Sequence, residues 1–279
     1  MSHACPPSAC DTCQAARGTL EKLGLKLEKW DFVVALAGNP NTGKSTVFNR
    51  LTGLRQHTGN WPGKTIARAE GGYAYNSRRY KIVDLPGTYS LRSASPDETV
   101  AREFILFGRP DVTVVVADAT SLERNLNLAL QILQITDRVV VCLNLMDEAR
   151  ANNLAVDSRG LAADLGVAVV PCAARSGEGI GHLLAEIEAV ATGTFVPRPY
   201  RLRLEVPGLR EAVSEIAGRL RRQFPDIANA DWVALRLLEG DRAVAEMVEQ
   251  GTIGRLSRDH AATASGELAS TAPAAGGAR

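Results

Sequence analysis

Short runs of apolar residues, rich in valine and isoleucine, recur along most of the chain between longer segments with helical spacing. Near-continuous runs of this length are typical of strands buried on both faces of a parallel sheet, and the amphipathic segments between them predict covering helices. The pattern predicts an α/β fold, with a mostly parallel sheet and helices on both faces. The predicted strands cover residues 32–37, 80–83, 112–117, 139–143 and 167–170, and the predicted helices cover residues 96–107, 126–135, 158–165 and 180–191.

Two shorter patterns add to this arrangement. We expect residues 71–75 to pair with residues 80–83 as an antiparallel hairpin at the edge of the sheet, connected through residues 76–79. A short helical pattern covers residues 19–29.

The pattern changes after residue 192. A proline-containing linker precedes amphipathic helical stretches at residues 208–223, 230–239 and 243–250, and alanine, glycine, serine and threonine dominate from residue 257 onward. Such a tail has little that could bury a core, so we expect it to be disordered. We divide the chain into a cysteine-rich leader at 1–29, an α/β domain at 30–195, a small helical domain at 199–256 and the tail at 257–279.

The composition limits the classes of function. The chain of 279 residues has a formal net charge of +1, whereas a broad nucleic-acid footprint normally needs a strong basic excess, so we expect no nucleic-acid partner. A membrane helix needs about 20 apolar residues, and the runs here are strand-sized. The N-terminus lacks the apolar core of a signal peptide. We expect a cytoplasmic protein, or one at the inner face of the cell membrane, and the oligomeric state stays open.

The first predicted strand leads directly into a G-x-x-x-x-G-K-S motif, which a helical segment follows. This strand–loop–helix setting is the one in which the motif binds phosphate, because backbone N–H groups and the helix N-terminus surround the anion. We expect Lys44 to neutralise the β- and γ-phosphates and the Ser45 hydroxyl to bind Mg²⁺. The candidate phosphate-binding residues are Gly38, Asn39, Pro40, Asn41, Thr42, Gly43, Lys44, Ser45 and Thr46.

A second predicted strand ends in Asp84, Leu85, Pro86 and Gly87. Asp84 could hold the Mg²⁺ shell, and the Gly87 N–H could sense the γ-phosphate. Magnesium and a nucleoside triphosphate are therefore the expected cofactor and ligand.

Two later strand ends indicate guanine rather than adenine. One ends in Asn144, Leu145, Met146 and Asp147, and the Asp147 carboxylate would accept hydrogen bonds from the guanine N1–H and 2-amino group, which adenine cannot supply. The other ends in Cys172, Ala173 and Ala174, where a backbone N–H could reach the guanine oxygen. Leu145 stands where the commoner motif has lysine, so we expect a looser grip on the base and fast release of GDP.

These motifs, together with the string Gly-Asn-Trp-Pro-Gly at residues 59–63, closely resemble the N-terminal G domain of the ferrous iron transport protein B (FeoB) family. The resemblance covers residues 30–195 and, more loosely, 199–256, which is similar to the helical domain that influences GDP binding in this family. It implies a Ras-like P-loop GTPase fold.

The resemblance also implies residue roles. Thr65 matches the switch threonine that closes on Mg²⁺ and the γ-phosphate, with Gly63 and Lys64 in the same nucleotide-binding loop. Asn41 matches the asparagine that helps to hold K⁺, whose cage backbone carbonyls of residues 59 and 61 would complete; as a residue type, asparagine is also a common turn former. The candidate catalytic residues are Asn41, Lys44, Thr65 and Gly87, and the candidate Mg²⁺ ligands are Ser45, Thr65 and Asp84.

The implied function is slow, K⁺-stimulated hydrolysis of GTP that regulates or energises ferrous iron uptake with a membrane permease. Slow turnover is expected because Thr88 stands where many GTPases have a water-positioning glutamine. The alternatives are a nucleotide-sensing adaptor with little turnover and a ribosome- or tRNA-associated GTPase. The chain also departs from typical members because it ends before the membrane permease and because Lys64 replaces a commonly apolar residue. We expect either a free-standing partner of a separate permease or a truncated product.

Four side chains with metal-ligating chemistry lie close together near the N-terminus. Cys5, Cys10 and Cys13, with His3 upstream, could hold Zn²⁺ or an iron–sulfur cluster, or could be the reactive thiols of a mobile leader. In the switch region, His57 and Trp61 could contact a partner or the nucleotide, or could be exposed loop residues.

Overall fold

The computed structural model describes residues 17, 20–21, 23–27, 29–54, 56–92, 95–200, 206–225, 227 and 229–253. Within these residues seven strands form one sheet in the order β2-β3-β4-β1-β5-β6-β7. The strands are β1 (Phe32–Gly38), β2 (Gln56–Asn60), β3 (Ala67–Tyr75), β4 (Arg78–Asp84), β5 (Val112–Asp118), β6 (Val139–Asn144) and β7 (Ala168–Pro171).

Strands β4, β1, β5, β6 and β7 are parallel, while β2–β3 and β3–β4 are antiparallel. The helices in the described part of the chain are α1 (Lys44–Thr52), α2 (Pro96–Glu103), α3 (Leu122–Ile135), α4 (Met146–Ala151), α5 (Ser158–Leu165), α6 (Ile180–Ala191), α7 (Leu209–Gln223), α8 (Ala230–Leu238) and α9 (Arg242–Glu249). A π-helical turn, Phe104–Gly108, extends α2. The predicted α/β fold class is confirmed.

The core lies on both faces of the sheet, because neighbouring residues of a strand point to opposite faces. On β1, Val33 and Ala35 face one core together with α2, α3 and the C-terminal helices, whereas Val34 and Leu36 face the other together with α1 and α6. Both sets of β1 side chains are at most 2% exposed. A strand covered on both sides needs continuous apolar sequence, as the strand pattern predicted.

The β3–β4 hairpin forms, but it is not at the edge of the sheet. Asn76 and Ser77 connect the two strands with φ of 45° and 64°, as a two-residue type I′ turn requires. The edge position belongs to β2, which pairs with β3. The prediction of an edge hairpin was therefore wrong about the edge, because the polar strand β2 was missed.

The N-terminal segment packs against the core, although its predicted helix does not extend to residue 29. Gly24 has φ of 85° and ends the turn, and residues 25–27 have no regular secondary structure. Leu20, Leu25 and Leu27 are buried at 1–3% exposure. The rest of the predicted leader and the predicted tail at 257–279 lie outside the described residues.

The three predicted C-terminal helices are present as α7, α8 and α9. Asn229, which caps α8, also donates to the carbonyls of Gln134 and Ile135 at the end of α3, at 3.0 and 2.9 Å. Arg102 on α2 forms an ion pair with Asp241 before α9. These contacts fix the C-terminal helices against the same face of the sheet as α2 and α3.

Candidate nucleotide-binding site

The G-x-x-x-x-G-K-S motif forms the loop between β1 and α1. Gly43 at the start of α1 has φ of 76°, and an added Cβ would lie 2.4 Å from Asn144 Nδ2. An added Cβ at Gly38 would lie 2.7 Å from the Val116 carbonyl. Both positions therefore require glycine, for conformation at Gly43 and for space at both. The Thr42 hydroxyl donates to the Asn39 carbonyl at 3.0 Å, which closes the loop.

Lys44 lies across the end of β4. Its Nζ donates to the Leu85 carbonyl at 2.7 Å and to the Asp84 carboxylate. Burial raises the pKa of Asp84, and the ammonium of Lys44 opposes that shift. An anion bound in the loop would compete with this carboxylate for the ammonium group.

The segment Asp84–Gly87 approaches the phosphate loop through backbone contacts. The Leu85 N–H donates to the Leu36 carbonyl at 2.9 Å, and the Thr88 N–H donates to the Gly38 carbonyl at 3.3 Å. Exposed Gly87 faces Pro40, which would lie 3.5 Å from an added Cβ. The predicted phosphate-sensing glycine thus lies beside the phosphate loop, whereas Thr88 is 5% exposed and points into the protein.

Asn144 connects the phosphate loop to the loop after β7. Its Nδ2 donates to the Thr42 carbonyl at 3.0 Å, and its Oδ1 accepts from the Ala174 N–H at 3.0 Å. The side chain is 1% exposed, and these two bonds use a donor and an acceptor of the amide. Asn144 therefore holds the site together rather than presenting its amide to solvent.

The three residues after Asn144 turn the chain toward the surface. Leu145 adopts the left-handed conformation with φ of 62°, and its Cδ2 would lie 3.8 Å from a Cβ at Gly43. The Met146 N–H donates to the Cys172 carbonyl at 3.1 Å. Asp147 is exposed in the first turn of α4. Its carboxylate is free to accept hydrogen bonds from a ligand beside the phosphate loop.

In the loop after β7, most backbone donors are already used. The N–H groups of Cys172, Ala173 and Ala174 donate to Leu143, Glu178 and Asn144. The N–H groups of residues 176, 177 and 178 also have acceptors inside the loop.

Among the described residues, the Arg175 N–H is the donor of this loop without an acceptor. The sequence pattern named Cys172, Ala173 and Ala174 as base-contacting positions, and their N–H groups are used within the protein. No sequence signal distinguishes these positions, because backbone N–H groups are common to all four residues.

The predicted switch segment consists of the edge strand β2 and residues 61–66, which connect it to β3. Thr65 is exposed between β2 and β3, after Gly63 with φ of 68°. Lys64 Nζ contacts Glu103 Oε2 at 3.0 Å, directed toward α2.

The two aromatic candidates of this segment differ. His57 is exposed on β2, whereas Trp61 is 3% exposed and packs edge-on against Phe104, with ring centroids 5.4 Å apart. Trp61 is therefore a core residue, which neither sequence interpretation anticipated.

Cys5, Cys10 and Cys13 lie outside the described residues. Within the described ranges, no group of three or more histidine, cysteine, aspartate or glutamate side chains could hold a metal ion. No helix in the part of the chain that the structure describes is long and apolar enough to cross a membrane.

The sequence profile described as ferrous iron transport protein B matches residues 32–187, which is more than half of the chain. The chain belongs to this family. The Fe(2+) transporter FeoB of Salmonella typhimurium is 39% identical over 232 residues, which cover 81% of this chain and 29% of that protein. This FeoB family member therefore spans less than a third of the curated relatives that it matches.

Solved structures of the FeoB family share the fold. The cytosolic domain of L. pneumophila FeoB is 32% identical, with a TM-score of 0.71, and the match covers 81% of this chain and 89% of that chain. A GDP form of the T. maritima FeoB cytosolic domain is 31% identical, with a TM-score of 0.71, covering 85% and 98% of the two chains. The family resemblance seen in the motifs and the P-loop G-domain fold are both confirmed.

Proposed function

We propose that this protein binds guanine nucleotides and hydrolyses GTP slowly, in support of ferrous iron uptake. The observation that carries the proposal is the double hydrogen bond of Asn144, which connects the phosphate loop at Thr42 with the loop at Ala174. Through it, the phosphate loop is held beside the loop after β7, which carries the Arg175 N–H, and Asp147 follows Asn144 by three residues. Asp147 would accept from the guanine N1–H and 2-amino group, and the Arg175 N–H would donate to the guanine oxygen.

The three residues predicted to bind Mg²⁺ carry oxygen ligands of a suitable type. Ser45 is exposed in the first turn of α1, Asp84 is half-buried beside Lys44, and Thr65 is exposed on the switch segment. Hydroxyl and carboxylate oxygens are the ligands that Mg²⁺ prefers. When bound, the ion would neutralise phosphate charge.

We extend the proposal to K⁺ through Asn41, which is exposed in the phosphate loop with φ of 67°. An amide oxygen at this position is a suitable ligand for a monovalent cation. The Trp61 carbonyl accepts from the Lys64 N–H at 3.0 Å, so a cage that includes this carbonyl would share it with that bond. When bound, K⁺ would stabilise negative charge that develops on the phosphates.

The residues proposed for hydrolysis act by positioning. Lys44 would exchange Asp84 for phosphate oxygens, the Gly87 N–H would contact the γ-phosphate, and Thr65 would close the switch segment over it. Since Thr88 is buried, a side chain that orients the attacking water is absent at that position, and slow turnover follows. We do not assign Thr65 the role of a general base.

The link to iron uptake rests on the relatives, which are named as Fe(2+) transporters and are much longer than this chain. We propose that this protein acts at the inner face of the cell membrane on a ferrous iron permease. We also propose that α7, α8 and α9 belong to a helical domain at 199–256 that influences GDP binding.

Calorimetry with GDP and ADP in the presence of Mg²⁺ tests the nucleotide proposal. We expect a preference for GDP of at least about a hundredfold, because ADP leaves the Asp147 carboxylate unpaired. Asp147→Ala should remove most of this preference, and Glu148→Ala, at the exposed neighbouring position, is the matched control. Equal affinity for GDP and ADP in the unchanged protein contradicts the proposal.

Turnover of GTP in KCl and in NaCl tests the catalytic proposal. We expect faster hydrolysis in KCl, and Asn41→Ala should reduce the difference between the two salts. Tight GTP binding without turnover in either salt would instead support a nucleotide-sensing adaptor.

A further inference from the structure

Arg50 lies in the last turn of α1 and contacts the loop after β7. Its Nε donates to the Ala174 carbonyl at 2.9 Å, and its Nη2 donates to the Arg175 carbonyl. Its Cζ and Nη1 would lie 4.0 Å from a Cβ at Gly177, so the guanidinium covers this loop. Two donors of one rigid, planar group hold two successive carbonyls, which fixes the orientation of the backbone between them.

The peptide between Ala174 and Arg175 carries both the carbonyl that Arg50 holds and the N–H that has no acceptor among the described residues. No peptide bond in the described part of the chain is cis. In a planar trans peptide the C=O and the N–H point in opposite directions. Holding the carbonyl on the α1 side therefore directs the Arg175 N–H away from α1.

The opposite end of this peptide segment is fixed as well. The Ala174 N–H donates to Asn144 Oδ1 at 3.0 Å, so Asn144 and Arg50 hold adjacent peptides from different elements. α1 itself is anchored by Val47, Phe48 and Leu51, which are at most 6% exposed. Helix α1, which begins at the phosphate loop, thus also carries Arg50, the side chain that orients the peptide of the Arg175 N–H.

We propose that Arg50 is a positioning residue for guanine: it aims the Arg175 N–H at the C6 oxygen of the base and thereby slows nucleotide release. This inference rests on the proposed function of guanine-nucleotide binding. Arg50 contacts no ligand atom itself, because its described donors point to carbonyls of the protein. Its effect should consequently depend on the acceptor at C6 of the purine.

Arg50→Ala tests the proposal through the release rate and affinity of GDP. We expect release to accelerate about five- to tenfold, which is the scale of one hydrogen bond. The same comparison is made with 6-thio-GDP, in which sulfur, a weak acceptor, replaces the C6 oxygen and the N1–H and 2-amino groups remain. With 6-thio-GDP we expect Arg50→Ala to change affinity less than about twofold.

Arg159→Ala is the matched control, since it removes an exposed arginine of α5 that has no part in the proposed site. It should leave both affinities unchanged. Arg50→Lys, which offers a point charge instead of a planar fork, should restore part of the GDP affinity. Arg50→Gln is a second truncation in case the alanine variant is poorly folded.

Two results overturn the role of Arg50. If Arg50→Ala weakens GDP and 6-thio-GDP equally, the side chain only stabilises the loop. If neither ligand is affected although the unchanged protein binds GDP, the loop needs no such contact. Absence of GDP binding by the unchanged protein would overturn the proposed function and this role together.

Discussion

Arg102 on α2 and Asp241 before α9 form an ion pair, with 3.3 Å between Arg102 Nη1 and Asp241 Oδ2. The side chains are 1% and 11% exposed. Burial lowers the pKa of the Arg102 guanidinium, and the Asp241 carboxylate opposes this shift. Asp241 Oδ1 also accepts from the Val244 N–H at 3.1 Å and caps α9. The Asp241 carboxylate therefore both neutralises the buried Arg102 guanidinium and caps the N-terminus of α9.

Replacing Asp241 should destabilise the protein strongly. Asp241→Ala leaves Arg102 buried without its partner, and we expect a loss of about 3–5 kcal/mol in the free energy of unfolding. Asp241→Asn keeps an oxygen that can cap α9, so it should be more stable than Asp241→Ala by about 1 kcal/mol. Urea unfolding of the three proteins measures both differences. Unchanged stability of Asp241→Ala would show that Arg102 finds another partner or water.

Gly43 should tolerate no side chain. Because an added Cβ would lie 2.4 Å from Asn144 Nδ2 at a φ of 76°, Gly43→Ala must displace the Asn144 side chain from the Thr42 carbonyl. We expect a loss of about 1–3 kcal/mol in stability and at least a tenfold loss, roughly, in GDP affinity. Calorimetry and urea unfolding measure the two effects.

Gly53→Ala is the control for backbone conformation alone. Gly53 also has positive φ, at 59°, but an added Cβ would meet nothing within 4 Å. It should lower stability by about 1 kcal/mol and leave GDP affinity unchanged. Equal loss of GDP affinity in both variants would mean that Gly43 matters through its conformation, and the Asn144 contact would not be the cause.

The parallel strands and the loops that follow β1, β4 and β6 could be predicted from the sequence, because apolar runs and short motifs are local features of the chain. Valine and isoleucine runs such as Val112–Asp118 require burial on both faces. Strand β2 has the sequence Gln-His-Thr-Gly-Asn and carries no such pattern. Its extended conformation comes from pairing with β3, which is a tertiary effect that local sequence does not encode.

The candidate site shows the same division. The sequence predicted that the Asn-x-x-Asp motif follows a strand, as it does at the end of β6, but the bond between Asn144 and the Thr42 carbonyl spans 102 positions. The contact of Arg50 with Ala174 spans 124 positions and has no motif at all. Such contacts depend on the folded position of α1. The role of Arg50 in holding the loop after β7 could therefore be found only in the structure.

Stability should fall at alkaline pH because of two tyrosines. The rings of Tyr73 and Tyr80 stack with centroids 4.9 Å apart. Burial raises the pKa of Tyr80 to about 12 and also raises the pKa of Tyr73. Tyrosine in an unfolded chain titrates near pH ~10. The folded state therefore holds these protons more tightly, so this stability is complete below pH ~10 and is lost as the pH rises toward ~12.

Urea unfolding between pH ~8 and ~11 measures this loss, which should approach 1.4 kcal/mol, roughly, per pH unit for each tyrosine. Tyr73→Phe keeps the ring and removes one ionisable group. Its stability should fall less steeply with pH than that of the unchanged protein. Parallel curves for the two proteins would show that Tyr73 does not contribute.

Leu145 should make GDP release fast, and Leu145→Lys should slow it. The left-handed conformation of residue 145 brings its side chain beside the phosphate loop, where Leu145 Cδ2 would lie 3.8 Å from a Cβ at Gly43. A lysine stem would cover the same surface and reach further along it, with its ammonium in solvent. We expect the unchanged protein to release GDP within minutes and Leu145→Lys to do so about tenfold more slowly, a difference of about 1.4 kcal/mol. Stopped-flow displacement of a fluorescent GDP analogue measures both rates.

Leu145→Met, which is apolar and similar in size, is the control and should resemble the unchanged protein. Release slower than minutes by the unchanged protein would contradict the prediction, because the base would then be held firmly without the lysine.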